Sequence, residues 1–459
     1  MTDSAEASVA SPRPNVLEGL LRLFTDVRPG EGAKALLLMV NVFMLLTCYY
    51  ILKPVREALI LSGESAATKS YSSGAQALLL MVLVPAYSRL ASRVPRIRLI
   101  TTVILFFASN LLLFYLLDLA RLPHLGVAFF IWVGIFNVGI VAQFWSFAND
   151  LYTPEQGKRL FVIVAFGANL GAILGGVIAE RLIKPFGVDA LLLLAAGLLL
   201  ACLGLFHAIN RLDHREHRVA GAAGPAPDEI PMGTSGAFEL LMRDRYLLLI
   251  AVLVIAANFV NSNGEYLLSA AVQSAGTRLI DAGQTGGLSA HDFMKQFSGL
   301  FYASYQKWTS IVTALIQLFV VSRVFKWFGI RMALFALPVI AMGGYGLIAL
   351  LPVLSCVRLV KIAENATDYS LQKTTLQTLF LPTSREAKYK AKAAIDTVIV
   401  RFGDVLAAGL VFLATQQAAV RQNLAWINIG LAGAWVVVVV ALGRRHQVLE
   451  RARAVEAAP

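Results

Sequence analysis

Long apolar runs separated by short polar, mostly basic stretches dominate this chain, and charged residues interrupt several of the runs from within. The runs fall near 34–52, 70–92, 98–118, 124–148, 160–183 and 187–210, then near 245–270, 299–322, 330–352, 354–380, 391–417 and 423–443. A helix needs about 17–25 predominantly apolar residues to cross a bilayer, so each run predicts one transmembrane helix. The expected fold is all-α: a polytopic membrane protein of twelve helices in two six-helix repeats. The long polar interruption at 211–244 opens with Asp213-His214-Arg215-Glu216-His217-Arg218 and continues through Gly, Ala and Pro. It reads as a linker between an N-terminal bundle over 31–210 and a C-terminal bundle over 245–443. Segments 1–30 and 444–459 read as cytoplasmic tails, the first without the apolar core and small-residue cleavage site of a secretory signal.

The two halves resemble each other weakly, the pattern of parallel transporter repeats. Ser88-Arg89-Leu90 recurs as Ser322-Arg323-Val324, Thr153 to Lys158 as Thr383 to Lys388, and Glu57-Ala58-Leu59-Ile60 as Glu265-Tyr266-Leu267-Leu268, each in the corresponding helix or loop. Lys and Arg concentrate in the loops after the even-numbered helices, among them Arg89, Arg93, Arg96, Lys158, Arg211, Arg323, Lys326 and Lys388. Since basic loops stay on the cytoplasmic side, both termini are expected there. The polar stretch 271–298 is then the largest external excursion.

Composition agrees with a membrane setting: 58% of 459 residues are hydrophobic and 15% charged, with a mean hydropathy of +0.68. A soluble chain carries roughly a quarter charged residues. The net charge of +12 would suit nucleic acid in a soluble protein, but here it sits in short loops and reads as topology. No nucleic-acid partner is expected; the partners are membrane lipids and a small anionic solute, and the chain is expected to act as a monomer. Cys48, Cys202 and Cys356 all fall in apolar runs, which argues for packing residues and against disulfides or zinc. There is no HExxH or GxxxxGK[ST] spacing and no nucleophile with a base, so neither an enzyme nor a cofactor or metal site is expected.

The informative chemistry is charge inside the spans, which costs about 2.5–3.5 kcal/mol per residue at a helix centre and usually faces water or substrate. In the first span Tyr49, Lys53 and Glu57 are spaced by four and share a face, with Arg56 beside it. Snorkelling to the interface is the alternative for these charges. In the seventh, Asn258, Asn261 and Glu265 form a stripe that lines a cavity or joins helices by hydrogen bonds. The tenth carries Arg358, Lys361, Glu364, Asn365 and Asp368 along one side. That side cannot face lipid; it lines a cavity or neutralises itself in ion pairs. Lys392 with Asp396, and Arg401 with Asp404, admit the same two readings in the eleventh. Asn149 ends the aromatic run Phe144-Trp145-Ser146-Phe147. Gly167, Gly171, Gly175 and Gly176 have the spacing of close helix packing.

The chain resembles the nucleotide transporter family of ATP/ADP translocases, whose architecture is similar to that of major facilitator transporters. The resemblance rests on Ile51-Leu52-Lys53 followed by Ala58-Leu59-Ile60, and on Phe147-Ala148-Asn149 with Lys158-Arg159 and Gly167-Ala168-Asn169. It extends to Tyr369-Ser370-Leu371, Pro382 and, most specifically, Lys392-Ala393-Ala394-Ile395-Asp396. It implies that Lys53, Glu265 and Lys392 handle phosphate charge and its compensation. Pro54 stands where the family usually has Asp, and Lys373, Leu376 and Gln377 replace its Asp, Lys and Glu.

The expectation is a divergent bacterial member in the inner membrane, moving a nucleotide or another phosphorylated anion by alternating access. Lys53, Arg56, Asn149, Arg358, Lys361 and Lys392 are the candidates for binding the anion. Glu57, Glu265, Glu364, Asp368 and Asp396 are the candidates for charge compensation or coupling. A proton-coupled transporter of an unrelated organic solute and a non-transporting membrane scaffold are the competing readings.

Overall fold

The computed structural model describes residues 25–28, 31–91, 93–220, 237–384 and 387–456. Most of the expected N-terminal tail, the middle of the expected linker (221–236) and residues 457–459 lie outside the described residues. The first six long helices are α1 (Gly32–Gly63), α2 (Ala66–Ala91), α3 (Arg96–Leu119), α4 (Leu125–Leu151), α5 (Pro154–Phe186) and α6 (Ala190–Ala220). After a short helix, Ala237–Arg243, come α7 (Arg245–Asp281), α8 (Ala290–Leu315), α9 (Val321–Leu350), α10 (Leu354–Thr367), α11 (Val400–Gln416) and α12 (Leu424–Glu456).

Local sequence accounts for several of these boundaries. Thr153 and Gln156 form a reciprocal capping box at the start of α5, with Gln156 N donating to the Thr153 hydroxyl at 3.4 Å and Thr153 N to Gln156 Oε1 at 3.1 Å. Asp244 caps α7 by accepting from Tyr246 N at 2.8 Å. Gly329, at φ 72°, breaks the long rod that begins in α8, because few other residues adopt the left-handed region without strain. Among the described residues, four π-helical turns interrupt the second half: Ile316–Val320, Asp368–Gln372, Ala387–Ala391 and Ile395–Ile399. Such turns re-aim side chains and often mark functional segments.

Among the described residues, nine helical stretches are long and apolar enough to cross a membrane, and one of them, Ala290–Leu350, covers two of the expected runs. The helices over the second and tenth runs, α2 and α10, are not among them; α10, of 14 residues, is cut short by the π-helical turn that follows it. The expected external excursion over 271–298 is much shorter than the hydropathy implied. Helix α7 continues to Asp281 and α8 begins at Ala290, so much of this stretch is helical although Ser274, Thr277, Arg278 and His291 are exposed.

Two large apolar cores divide the molecule. One gathers residues of α1 and α3–α6, with Ala303; the other gathers residues of the second half together with Ile60, Leu61 and Phe130. Cys48, Cys202 and Cys356 are buried and unbridged. Helix α5 lies directly on α1: a Cβ on Gly167 would meet the Met39 carbonyl oxygen at 2.6 Å, and one on Gly175 the Thr47 carbonyl oxygen at 2.7 Å. Only glycine permits that approach, and the spacing of four keeps it in register along the helix.

The halves are latched at the end where α1 meets α2. Lys295 of α8 binds Asp118 (2.5 Å) and Asp189, and Arg121 binds Asp292 (3.0 Å); Lys307 binds Glu180 (2.5 Å) further along the helices, beside Gly176. Gln273 Nε2 donates to the Glu64 carbonyl at 2.8 Å. At the opposite end Lys34–Asp213 (2.9 Å), Arg159–Glu31 (2.9 Å) and Tyr246–His446 (2.7 Å) each stay within one half.

Candidate functional site

Between the halves lies a polar cavity of about 280 Å³. Its wall from α1 is the face set by the four-residue spacing, Tyr49, Lys53 and Glu57, with Arg56 beside it. Pro54, on the same wall, has no N–H and leaves the carbonyl one turn back without its helical donor, which loosens α1 beside Lys53. Helix α7 contributes Asn258, Asn261 and Glu265, and α8 contributes Tyr302 and Tyr305. Lys69 of α2, Asn365 of α10, and Arg401 and Asp404 of α11 complete the charged lining, and Gln76, Asn137 and Gln306 add further amides.

Most of these charges are consumed in one network that crosses from half to half. Arg56 Nη2 lies 2.5 Å from Glu57 Oε1, and its guanidinium stacks over the Phe130 ring at 4.4 Å. Glu57 Oε2 lies 2.7 Å from Lys69, which also donates to the Ser269 hydroxyl at 2.7 Å and reaches Glu265 at 4.0 Å. Glu265 accepts from Asn365 Nδ2 at 3.0 Å and lies 3.6 Å from Lys361. Lys361, fully buried, is 2.9 Å from Glu364, and Glu364 accepts from the Tyr345 hydroxyl at 2.7 Å. Glu57 and Glu265, matched by the internal repeat, thus meet at Lys69.

Lys53 stands apart. No carboxylate or hydrogen-bond acceptor engages its Nζ among the described residues. Instead the ammonium lies near three tyrosine rings, 4.9 Å from the centroid of Tyr50, 5.7 Å from Tyr49 and 5.9 Å from Tyr369. Such contacts stabilise a cation by roughly 0.5–2 kcal/mol and leave its donors free.

The remaining sequence candidates are dispersed. Arg358 donates to the Ser304 hydroxyl at 2.8 Å and stacks on Phe301 at 5.6 Å, outside the cavity wall. Asn149 is exposed at the end of α4, in a separate hollow with Trp145 and Phe161. Lys392 lies 5.9 Å from the Phe380 ring centroid, does not line the central cavity, and makes no ion pair with Asp396. Glu364, Asp368 and Asp396 line a second cavity within the C-terminal half. Lys69, Tyr302 and Tyr305 escaped the sequence reading. Lys69 immediately precedes the second apolar run in Thr68-Lys69-Ser70-Tyr71-Ser72, so hydropathy places it at the interface; its location inside α2 and its near-complete burial are tertiary facts.

Two apposed helical bundles with a charged cavity between them define the fold class, that of secondary transporters of the major facilitator type. The solved structure of the nucleoside transporter NupG superposes with a TM-score of 0.61 at 10% identity, covering 89% of this chain and 99% of that one. A bacterial homologue of the iron transporter ferroportin in an inward-facing state gives 0.61 at 10% identity, covering 90% and 98%. These likenesses concern the fold alone. The chain itself belongs to the TLC ATP/ADP transporter family, whose profile matches residues 129–446. It is 25% identical over 351 residues to ADP,ATP carrier protein 1 of Chlamydia pneumoniae, covering 67% of this chain and 64% of that one. To ADP,ATP carrier protein 2 of Chlamydia trachomatis it is 24% identical over 357 residues, covering 68% and 63%. The matched region therefore spans somewhat less than two thirds of those relatives' length.

Proposed function

We propose that this protein is a secondary transporter that exchanges nucleotides of the ATP/ADP type across a bacterial inner membrane. The observation that carries this reading is Lys53. The cavity wall holds the cations Lys53, Arg56, Lys69 and Arg401 against the carboxylates Glu57, Glu265 and Asp404, and among the described residues Lys53 is the wall cation with no carboxylate partner. An unpaired ammonium among aromatic faces suits a phosphate anion attached to a flat ring system. The names of the Chlamydia carriers support the same substrate class.

In this reading Lys53 and Arg56 meet the phosphates, while Glu57 and Glu265 hold Lys69 and Lys361 as compensating charge. Lys392 is included on the family pattern alone. Twelve crossings in two halves, 31–210 and 245–443, put both termini in the cytoplasm. The latched end is then external and the cavity opens inward, so exchange requires the Lys295 and Arg121 contacts to part as the halves rock.

The test is uptake of labelled ATP into proteoliposomes preloaded with ADP, with and without a pH gradient. A hydrogen bond to a charged group contributes about 1.5–3 kcal/mol, so Lys53→Gln is expected to lower uptake at least about tenfold with the fold intact. Lys392→Gln tests the family pattern separately. Wild-type protein that exchanges no nucleotide, or that transports an uncharged solute unaffected by Lys53→Gln, overturns the proposal.

A further inference from the structure

Charge is not spread evenly over the central cavity. Arg56, Glu57 and Lys69 gather where α1 meets the start of α2, whereas further along α2 and α4 the lining consists of Ser73, Gln76, Gly134 and Asn137, all uncharged. Gly134 leaves its Cβ space to the Gln76 side chain, so α2 and α4 form one continuous surface there. The amides of the cavity wall differ in what they offer a solute. Gln76 Oε1 and Gln306 Nε2 are sealed from solvent. Asn137 is half-buried, neither of its polar side-chain atoms is sealed, and among the described residues neither has a hydrogen-bond partner. The Ser73 hydroxyl is in the same state. Arg401, across the cavity on α11, is turned to Asp404 at 3.6 Å.

Helix packing fixes the level of Asn137. A Cβ on Gly126 would meet Ile60 Cα at 2.7 Å, and the Arg56 guanidinium stacks over Phe130, so α1 and α4 run antiparallel in close contact. Asn137 is as far along α4 from Gly126 as Tyr49 is back along α1 from Ile60, which makes it level with Tyr49. Lys53 is then one helical turn, about 6 Å, nearer the charged network. At that level the cavity presents the Tyr49 ring, 5.7 Å from the Lys53 ammonium, together with an accessible amide that holds an N–H donor beside a C=O acceptor. An aromatic face takes the flat side of a nucleobase, and an asparagine amide pairs with adenine through the 6-amino donor and the N7 acceptor. Phosphates joined to such a base reach Lys53 within the same cavity.

We infer that Asn137 reads the edge of the nucleobase in the central cavity, with the base against the Tyr49 ring and the phosphates on Lys53. This rests on the nucleotide reading above and adds a base-selecting residue to it.

The experiment is competition against labelled ATP on the purified full-length protein by three unlabelled compounds. These are ATP, purine riboside triphosphate, which is ATP without its 6-amino group, and inorganic tripolyphosphate, which has the charge without a base. Wild-type protein is expected to prefer ATP to purine riboside triphosphate by about tenfold, the discrimination of a bidentate amide contact. Asn137→Leu is expected to remove that preference and to leave tripolyphosphate competition unchanged. Asn137→Ala is expected to act in the same direction and covers the case in which the leucine variant does not fold. Lys53→Gln is expected to do the opposite, weakening tripolyphosphate and both nucleotides together while the preference for the amino group persists. If wild-type protein binds ATP but does not distinguish it from purine riboside triphosphate, the inference falls while the nucleotide reading stands. The same holds if the Asn137 variants keep the preference, or weaken tripolyphosphate as much as ATP. If wild-type protein binds neither ATP nor tripolyphosphate, the nucleotide reading itself falls and takes the base contact with it.

Discussion

Replacing Lys361 by Met separates the charge that holds this fold from the charge that serves its substrate. The lysine is fully buried, with Nζ 2.6 Å from Asn261 Oδ1, 2.9 Å from Glu364 Oε2 and 3.6 Å from Glu265 Oε1. Methionine keeps the length of the stem and removes the ammonium. Glu364 then retains the Tyr345 hydroxyl at 2.7 Å, and Glu265 retains Asn365 at 3.0 Å and Lys69 at 4.0 Å, so neither carboxylate keeps a close cation. Breaking a buried pair in this way costs about 3–5 kcal/mol, because the remaining charge is desolvated without compensation. Removing both partners in Lys361→Met with Glu364→Met removes the part of that penalty that falls on Glu364, while Glu265 still lacks Lys361; exchange of a whole buried pair for apolar groups is often neutral or stabilising by about 1–4 kcal/mol. The assay is thermal unfolding of the purified protein in detergent for both single variants and the double, read as a mutant cycle. Both singles should unfold well below wild type and the double should unfold above Lys361→Met, recovering the part of the loss that falls on Glu364. Lys53→Gln, which orphans no carboxylate, should unfold near the wild-type temperature even as transport fails. A double variant no better than the singles would mean that packing, not charge pairing, sets the cost. A Lys53→Gln loss as large as that of Lys361→Met would mean that Lys53 is structural.

Three further outcomes are expected. Gly175→Ala places a Cβ 2.7 Å from the Thr47 carbonyl oxygen on α1, and since backbone cannot move aside, overpacking of about 1–3 kcal/mol should appear as a lowered unfolding temperature. Gly197→Ala in α6, with nothing within 4 Å, should instead leave stability unchanged or raise it by up to about 1 kcal/mol. Reporter fusions should read cytoplasmic near Ala222 and external near Gly286; the reverse at either site would refute the topology. Burial works against ionisation of Glu31, but the Arg159 guanidinium and the Arg28 amide outweigh it and hold the carboxyl below its ordinary 4.5. A depressed folded value means that this contact stabilises the fold fully above about pH 4.5 and loses its effect as pH falls through the lowered value, so Arg159→Gln should flatten the acid limb of a stability–pH profile.

Hydropathy and spacing along the chain were enough to show helices in a membrane, because both depend on residues within a few turns of one another. The α1 face of Tyr49, Lys53 and Glu57 and the α5 glycines at 167, 171 and 175 are local patterns of this kind, and the structure places each where the pattern points. Even the Lys361–Glu364 pair is legible as an i,i+3 contact. Hydropathy erred in two ways: the polar stretch 271–298 mostly extends α7 and α8, and Lys69, in the first turn of α2, is nearly buried rather than at a wet interface. Burial against protein and exposure to water give the same sequence signature. What only the tertiary structure decided is which charges spend themselves on one another. Lys69 meets Glu57 from the adjacent helix and Glu265 from the other half, whereas Lys53, with a carboxylate four residues along its own helix, is left to three tyrosine rings. A partner's identity across such separations depends on how helices cross, and crossing geometry is a property of the packed bundle that no single helix encodes.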